Sequence, residues 1–98
     1  MSNDIKLVLD KLDLVENGRY DNHFYIIDLE DSNAYAKMYT KLDKNAINTE
    51  DPNFGKTASG SVNKITNYFE VEVDGVEYNL FLIADFAEDR YYLKIGQK

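Results

Sequence analysis

The stretch Phe69–Ile83, FEVEVDGVEYNLFLI, decides the fold. Apolar and polar residues alternate on either side of Asp74-Gly75, the period of a half-buried strand. Asp-Gly is a favoured two-residue hairpin turn of type I′. With the turn there, Val73 faces Val76, Val71 faces Tyr78 and Phe69 faces Leu80, and parity keeps these on one face. The same register sets Glu72 directly against Glu77, and like charges opposed across a strand pair cost stability. Two explanations present themselves. One is a solvated strand whose charges discourage edge-to-edge aggregation; the other is a carboxylate row suited to a basic partner.

Working outward, the apolar face continues through Leu82, Ala84 and Phe86, after which the loop AEDR leads into YYLKI. Pairing Phe86 with Tyr91 sets Leu93 opposite Ala84 and Ile95 opposite Leu82, completing a three-stranded C-terminal meander. Its second face shows Glu70, Glu72, Glu77 and Asn79 near the turn, and Tyr68, Phe81 and Ile83 further away, where another layer is expected to cover them. On the N-terminal side, residues 4–16 place Ile5, Val8, Leu9, Leu12 and Val15 on one helical stripe, with Asn17-Gly18 as the stop. His23–Leu29, HFYIIDL, reads as a strand from its aromatic and β-branched content. Ala34–Leu42 fits both periods. The strand reading is preferred there, because the four residues EDSN would close a hairpin with the strand before. Residues 44–64 lack periodicity and hold the single proline, so they are expected to form a long mobile loop.

The expected fold is therefore α+β: one domain spanning 1–98, with an N-terminal amphipathic helix packed on a mainly antiparallel, roughly five-stranded sheet. Ninety-eight residues support one modest core.

Eighteen acidic residues against eleven basic give a net charge of −7, a field that repels nucleic acid and anionic membranes and attracts basic proteins. The charge is not a tail. Residues 1–43 and 65–98 each carry a net −4 and residues 44–64 a net +1, so the carboxylates belong to the folded parts, where a scaffold holds their spacing. With no cysteine, disulfides, thiolate metal sites and cysteine nucleophiles are excluded. The charge-broken N-terminus is neither a signal peptide nor a membrane span, which predicts a cytoplasmic protein (host cytoplasm if phage-encoded).

No motif in the chain carries a complete catalytic or ligand-binding pattern. Gly55-Lys56-Thr57 lacks the glycine that a phosphate-binding loop needs five positions earlier, since Glu50 stands there. His23 is the sole histidine. Asp28-Leu29-Glu30-Asp31 lacks the residue order of a calcium loop. Glu72 with Glu77 on an exposed tip has no apolar pocket to tune an acid–base pair. Neither an enzyme nor a cofactor or metal site is expected. The candidate partner-binding residues are the acids Asp28, Glu30, Asp31, Glu70, Glu72, Asp74, Glu77, Asp85, Glu88 and Asp89. Tyr35, Tyr39 and Tyr92 join them, because tyrosine is enriched at interfaces.

Size, acidity and the absence of a catalytic constellation are together similar to those of small acidic inhibitor proteins, such as phage-encoded DNA mimics and nuclease-blocking immunity proteins. The likeness is one of type, carried by no motif. It implies a basic partner, a nuclease or another DNA- or RNA-binding protein, without direct nucleic-acid binding. The alternative is a phage-type structural or assembly protein that forms homo-oligomers through a sheet edge.

Overall fold

The computed structural model describes residues 2–49 and 64–98. In chain order the elements are α1 (Ser2–Lys11), β1 (Arg19–Asp21), β2 (Phe24–Leu29), α2 (Ser32–Asn45), β3 (Ile47–Thr49), β4 (Lys64–Val73), β5 (Val76–Asp85) and β6 (Arg90–Gln97). The six strands form one antiparallel sheet in the order β1-β2-β6-β5-β4-β3, so the class is α+β.

β4 and β5 form a long hairpin in which Val73 pairs with Val76 and Glu72 with Glu77. Asp74 and Gly75 take φ of 53° and 82°, the left-handed values that a type I′ turn demands. The next connection departs from the sequence reading by two residues. Asp85 pairs with Arg90, Ala84 with Tyr91, Leu82 with Leu93 and Leu80 with Ile95, so the loop is Phe86–Asp89 and not AEDR. Asp85 makes the difference. Its Oδ1 accepts the Glu88 N–H at 3.1 Å, and Asp89 turns the chain back with φ 54°. Because the slip is an even number of residues, every strand residue keeps its face, but Phe86 leaves the sheet and becomes half exposed.

The strand expected over 34–42 is a helix. Asp31 accepts the Ala34 N–H at 2.9 Å and caps it. Tyr35, Met38, Tyr39 and Leu42 fall at helical spacing and pack against the core. EDSN is thus a cap and not a hairpin loop. Six strands arise without this segment because two edge strands of three residues each, β1 and β3, carry too little pattern to read. α2 and β3 also claim the start of the stretch expected as a loop, and β4 begins at its end, Lys64. Residues 50–63, including Gly55-Lys56-Thr57, lie outside the described residues.

α1 stops earlier than Asn17-Gly18. Leu14 N–H returns to Leu9 O at 2.8 Å and Asp13 N–H to Asp10 O at 3.2 Å, with Asp13 at φ 56°. This is a Schellman close with aspartate in the left-handed position that glycine usually fills. Leu14 then packs beside the core, while Val15 is 73% exposed.

One buried cluster holds the molecule together. Ile5, Val8 and Leu9 of α1, Leu12 just after it and Leu42 of α2 meet Tyr25, Ile27, Phe69, Val71, Tyr78, Leu80, Leu82, Leu93 and Ile95 of the sheet. These strand residues share one face by parity, so both helices lie on the same side. Lys41 Nζ donates to Asp13 O and Lys11 Nζ to Glu72 O, tying α2 to the end of α1 and α1 to the hairpin. No described element covers the opposite face. On that face Tyr68 and Ile83 are buried, and Phe81 lies between Tyr68 and Phe24 at centroid distances of 5.1 and 6.4 Å.

Candidate protein-binding surface

The sheet distributes the candidate acids to its two ends. Glu70, Glu72, Asp74 and Glu77 gather at the β4–β5 turn. Asp85, Glu88 and Asp89 gather at the β5–β6 turn, beside Asp28, Glu30 and Asp31, because Leu29 pairs with Tyr91 and Asp28 with Tyr92. Ten residues of β5 separate the two groups, about 30 Å at roughly 3.3 Å per residue.

At the first end the like-charge pair has a local answer. Lys98, following β6, brings its ammonium to 2.9 Å from Glu70 Oε2 and 3.3 Å from Glu77 Oε2. Hydrogen bonds to Glu70, then to Glu77, hold the Lys98 pKa above its ordinary value. The Tyr68 hydroxyl donates to Asn79 Oδ1 at 2.5 Å and lies 3.4 Å from Glu70 Oε2. Glu72 keeps an exposed carboxylate with no ion-pair partner among the described residues. Asp74 is there for its backbone conformation.

At the second end three of the acids have structural duties. Asp31 caps α2. Asp28 accepts from Arg19 Nη1 and from Arg90 Nη2, the latter at 3.3 Å. Asp85, the one buried charged residue among those described, caps its turn and lies 3.7 Å from Lys64 Nζ. Glu30, Glu88 and Asp89 are exposed and have no ion-pair partner among the described residues. Phe86, 52% exposed, stands among them on the turn that Asp85 fixes.

The tyrosines divide. Tyr35 and Tyr39 are half-buried on the inner face of α2. Tyr39 sits edge-on to Phe69 at 5.6 Å and Tyr35 lies 5.8 Å from Tyr91. The Tyr35 hydroxyl accepts from Asn67 Nδ2 at 2.6 Å, and burial raises its pKa. These two anchor the helix. Tyr92 lies on the face opposite the helices with the Arg90 guanidinium 4.6 Å above its ring.

Sequence reasoning passed over the cations of that face. Arg90, Lys94 and Lys98 recur with even spacing along β6, and that parity was the available signal. Among the described residues no three acidic, histidine or cysteine side chains converge as a metal site, and His23 is an exposed residue of the β1–β2 turn. No helix among the described residues is long and apolar enough to cross a membrane. The chain matches no family model, no curated protein and no solved structure.

Proposed function

We propose that the chain is a small acidic binding protein of the inhibitor or DNA-mimic type, which occupies a basic surface of a nucleic-acid-handling protein inside the cell. The reading takes α1 laid on the β4–β5–β6 meander as a rigid scaffold and gives the chain no catalysis. One observation carries it. At the β5–β6 turn an exposed aromatic ring, Phe86, stands on a turn held by a buried cap and shared with Glu88 and Asp89, which have no ion-pair partner among the described residues. Aromatic residues are enriched at interface cores, whose rims are polar, and a preformed turn lowers the ordering cost of binding. The β4–β5 tip, with Lys98 already between Glu70 and Glu77, supplies Glu72 as a weaker second contact.

The test is affinity capture on the immobilised chain with a salt gradient and competing duplex DNA, run beside a variant carrying Phe86→Ala, Glu88→Gln and Asp89→Asn. The expected result is a basic DNA- or RNA-handling protein that elutes at moderate salt, is displaced by duplex DNA and is not retained by the variant. Equal retention by the variant at physiological salt would overturn the assignment of this turn. The exposed three-residue edge strand β1 favours the second reading, self-assembly through a sheet edge. A salt-insensitive oligomer in light scattering would support it against the first.

A further inference from the structure

Independently of that reading, the face of the sheet opposite the helices holds a feature of opposite charge. Between β1, β2 and β6 lies a depression of about 250 Å³ bordered by Arg19, Arg90 and Lys94, with Asp21 the one acid among its described lining residues. With Asp28, which pairs with both guanidiniums, counted beside Asp21, the group keeps one net positive charge in a chain of net −7.

The cations are prearranged. Asp28 lines the neighbouring depression and not this one. From that far side it holds both guanidiniums, Arg19 Nη1 and Arg90 Nη2, leaving their remaining N–H groups to be satisfied elsewhere. Lys94 has no ion-pair partner among the described residues. Its ammonium sits 4.2 Å from the Phe24 ring centroid and 5.9 Å from that of Phe81. The Phe24 ring is pressed onto β6 at Gly96, where an added Cβ would lie 2.6 Å from it. Ring contact attracts the ammonium without neutralising it. A half-buried lysine in an acidic chain thus shares one depression with two guanidiniums and forms no ion pair among the described residues.

We propose that this depression binds a small-molecule phosphoryl group, through Lys94 and the free N–H groups of Arg19 and Arg90. The chemistry follows from the border. A net positive charge favours an anion, and guanidinium forks suit phosphate oxygens. The faces of Phe24 and Tyr92 are already covered by Lys94 and Arg90, so stacking of a flat apolar ligand is not what the site offers. At about 30 Å³ per water the space corresponds to roughly eight waters, more than a bare phosphate needs, so a phosphomonoester fits as well as the free ion.

The experiment is an NMR titration of the whole chain with inorganic phosphate, phenyl phosphate and acetate at matched ionic strength. Saturable shifts of the backbone amides of residues 21–24 and 90–94 are expected with both phosphates and not with acetate. Tighter binding of phenyl phosphate would assign a phosphomonoester, and tighter binding of inorganic phosphate the free ion. Lys94→Met keeps the packing over the rings and should weaken binding roughly tenfold, the loss of one charge-assisted hydrogen bond; Lys94→Arg should restore it. Arg90→Lys, which keeps the charge and loses the fork, should weaken binding in a chain whose spectrum is otherwise unchanged. No saturation, equal shifts with acetate, or a Lys94→Met titration identical to that of the parent would each refute the site.

Discussion

Asp85 offers the sharpest test of how this chain sets its strand register and presents the β5–β6 turn. Its carboxylate does two things: it accepts the Glu88 N–H at 3.1 Å and lies 3.7 Å from a half-exposed Lys64 ammonium. The two contributions differ in size. A part-buried N–H left without an acceptor costs about 1–2 kcal/mol, whereas an ion pair that long and that exposed contributes about 0.5 kcal/mol or less. Asp85→Ala removes both and should destabilise by about 2 kcal/mol. At about 4–8 °C per kcal/mol for a domain near this size, that lowers Tm by roughly 8–16 °C. Asp85→Asn keeps an acceptor oxygen and loses only the charge, so its Tm should fall by about 2–4 °C. Calorimetry on the three proteins measures the difference. Hydrogen exchange at the Glu88 amide locates it, with protection lost in Asp85→Ala and retained in Asp85→Asn. Equal losses in the two variants would mean that the ion pair and not the turn cap stabilises this end, and the account of the register would fail.

Two further outcomes can be checked without a partner. At Gly18 an added Cβ would lie 2.2 Å from the Ile26 carbonyl oxygen, a backbone atom that cannot swing aside. Gly18→Ala should therefore cost about 1–3 kcal/mol and release β1, read as faster hydrogen exchange at Arg19–Asp21 with β4–β6 unaffected; unchanged exchange at β1 would contradict the packing described. The second concerns alkali. The pKa of Tyr35 is raised above 10.0 by burial and that of Lys98 above 10.5 by its bonds to Glu70 and Glu77. In both cases the folded state holds the proton more tightly, so the stabilisation is complete below the unfolded pKa and is lost as pH rises through the folded one. Urea midpoints should accordingly fall above about pH 10, less steeply in Tyr35→Phe and in Glu77→Gln. A midpoint flat across that range in the parent protein would refute both assignments.

The Asp74-Gly75 hairpin was legible because its determinants are neighbours in the chain. Left-handed turn residues and alternating flanks leave one register that buries Phe69, Val71, Tyr78 and Leu80 together. Residues 34–42 were not legible in the same way. Tyr35, Met38, Tyr39 and Leu42 satisfy a helical stripe, while Ala34, Ala36, Met38, Thr40 and Leu42 satisfy a strand. The hydrogen bond from the Ala34 N–H to Asp31 and the packing of Tyr35, Met38, Tyr39 and Leu42 onto the same sheet face as α1 resolve that tie, and the latter is a property of the assembled core. The β5–β6 loop shows a milder form of the problem. Parity admits any even slip, and only the Asp85 side chain distinguishes Phe86 as a turn residue from Phe86 as a paired one.

The candidate surface divides along the same line. Sequence by itself determined that the chain is acidic, that its carboxylates ride on folded segments, and that Glu72 faces Glu77. These depend on composition and on contacts a few residues apart. Tertiary structure decided which of those charges remain unspent. Lys98 reaches Glu70 and Glu77, and Arg19 and Arg90 converge on Asp28, because the order β2-β6-β5-β4 brings residues up to 62 positions apart into hydrogen-bonding distance. Ion pairing acts over a few ångströms of space, and a period in the sequence records which face a residue takes but not which strand lies beside it.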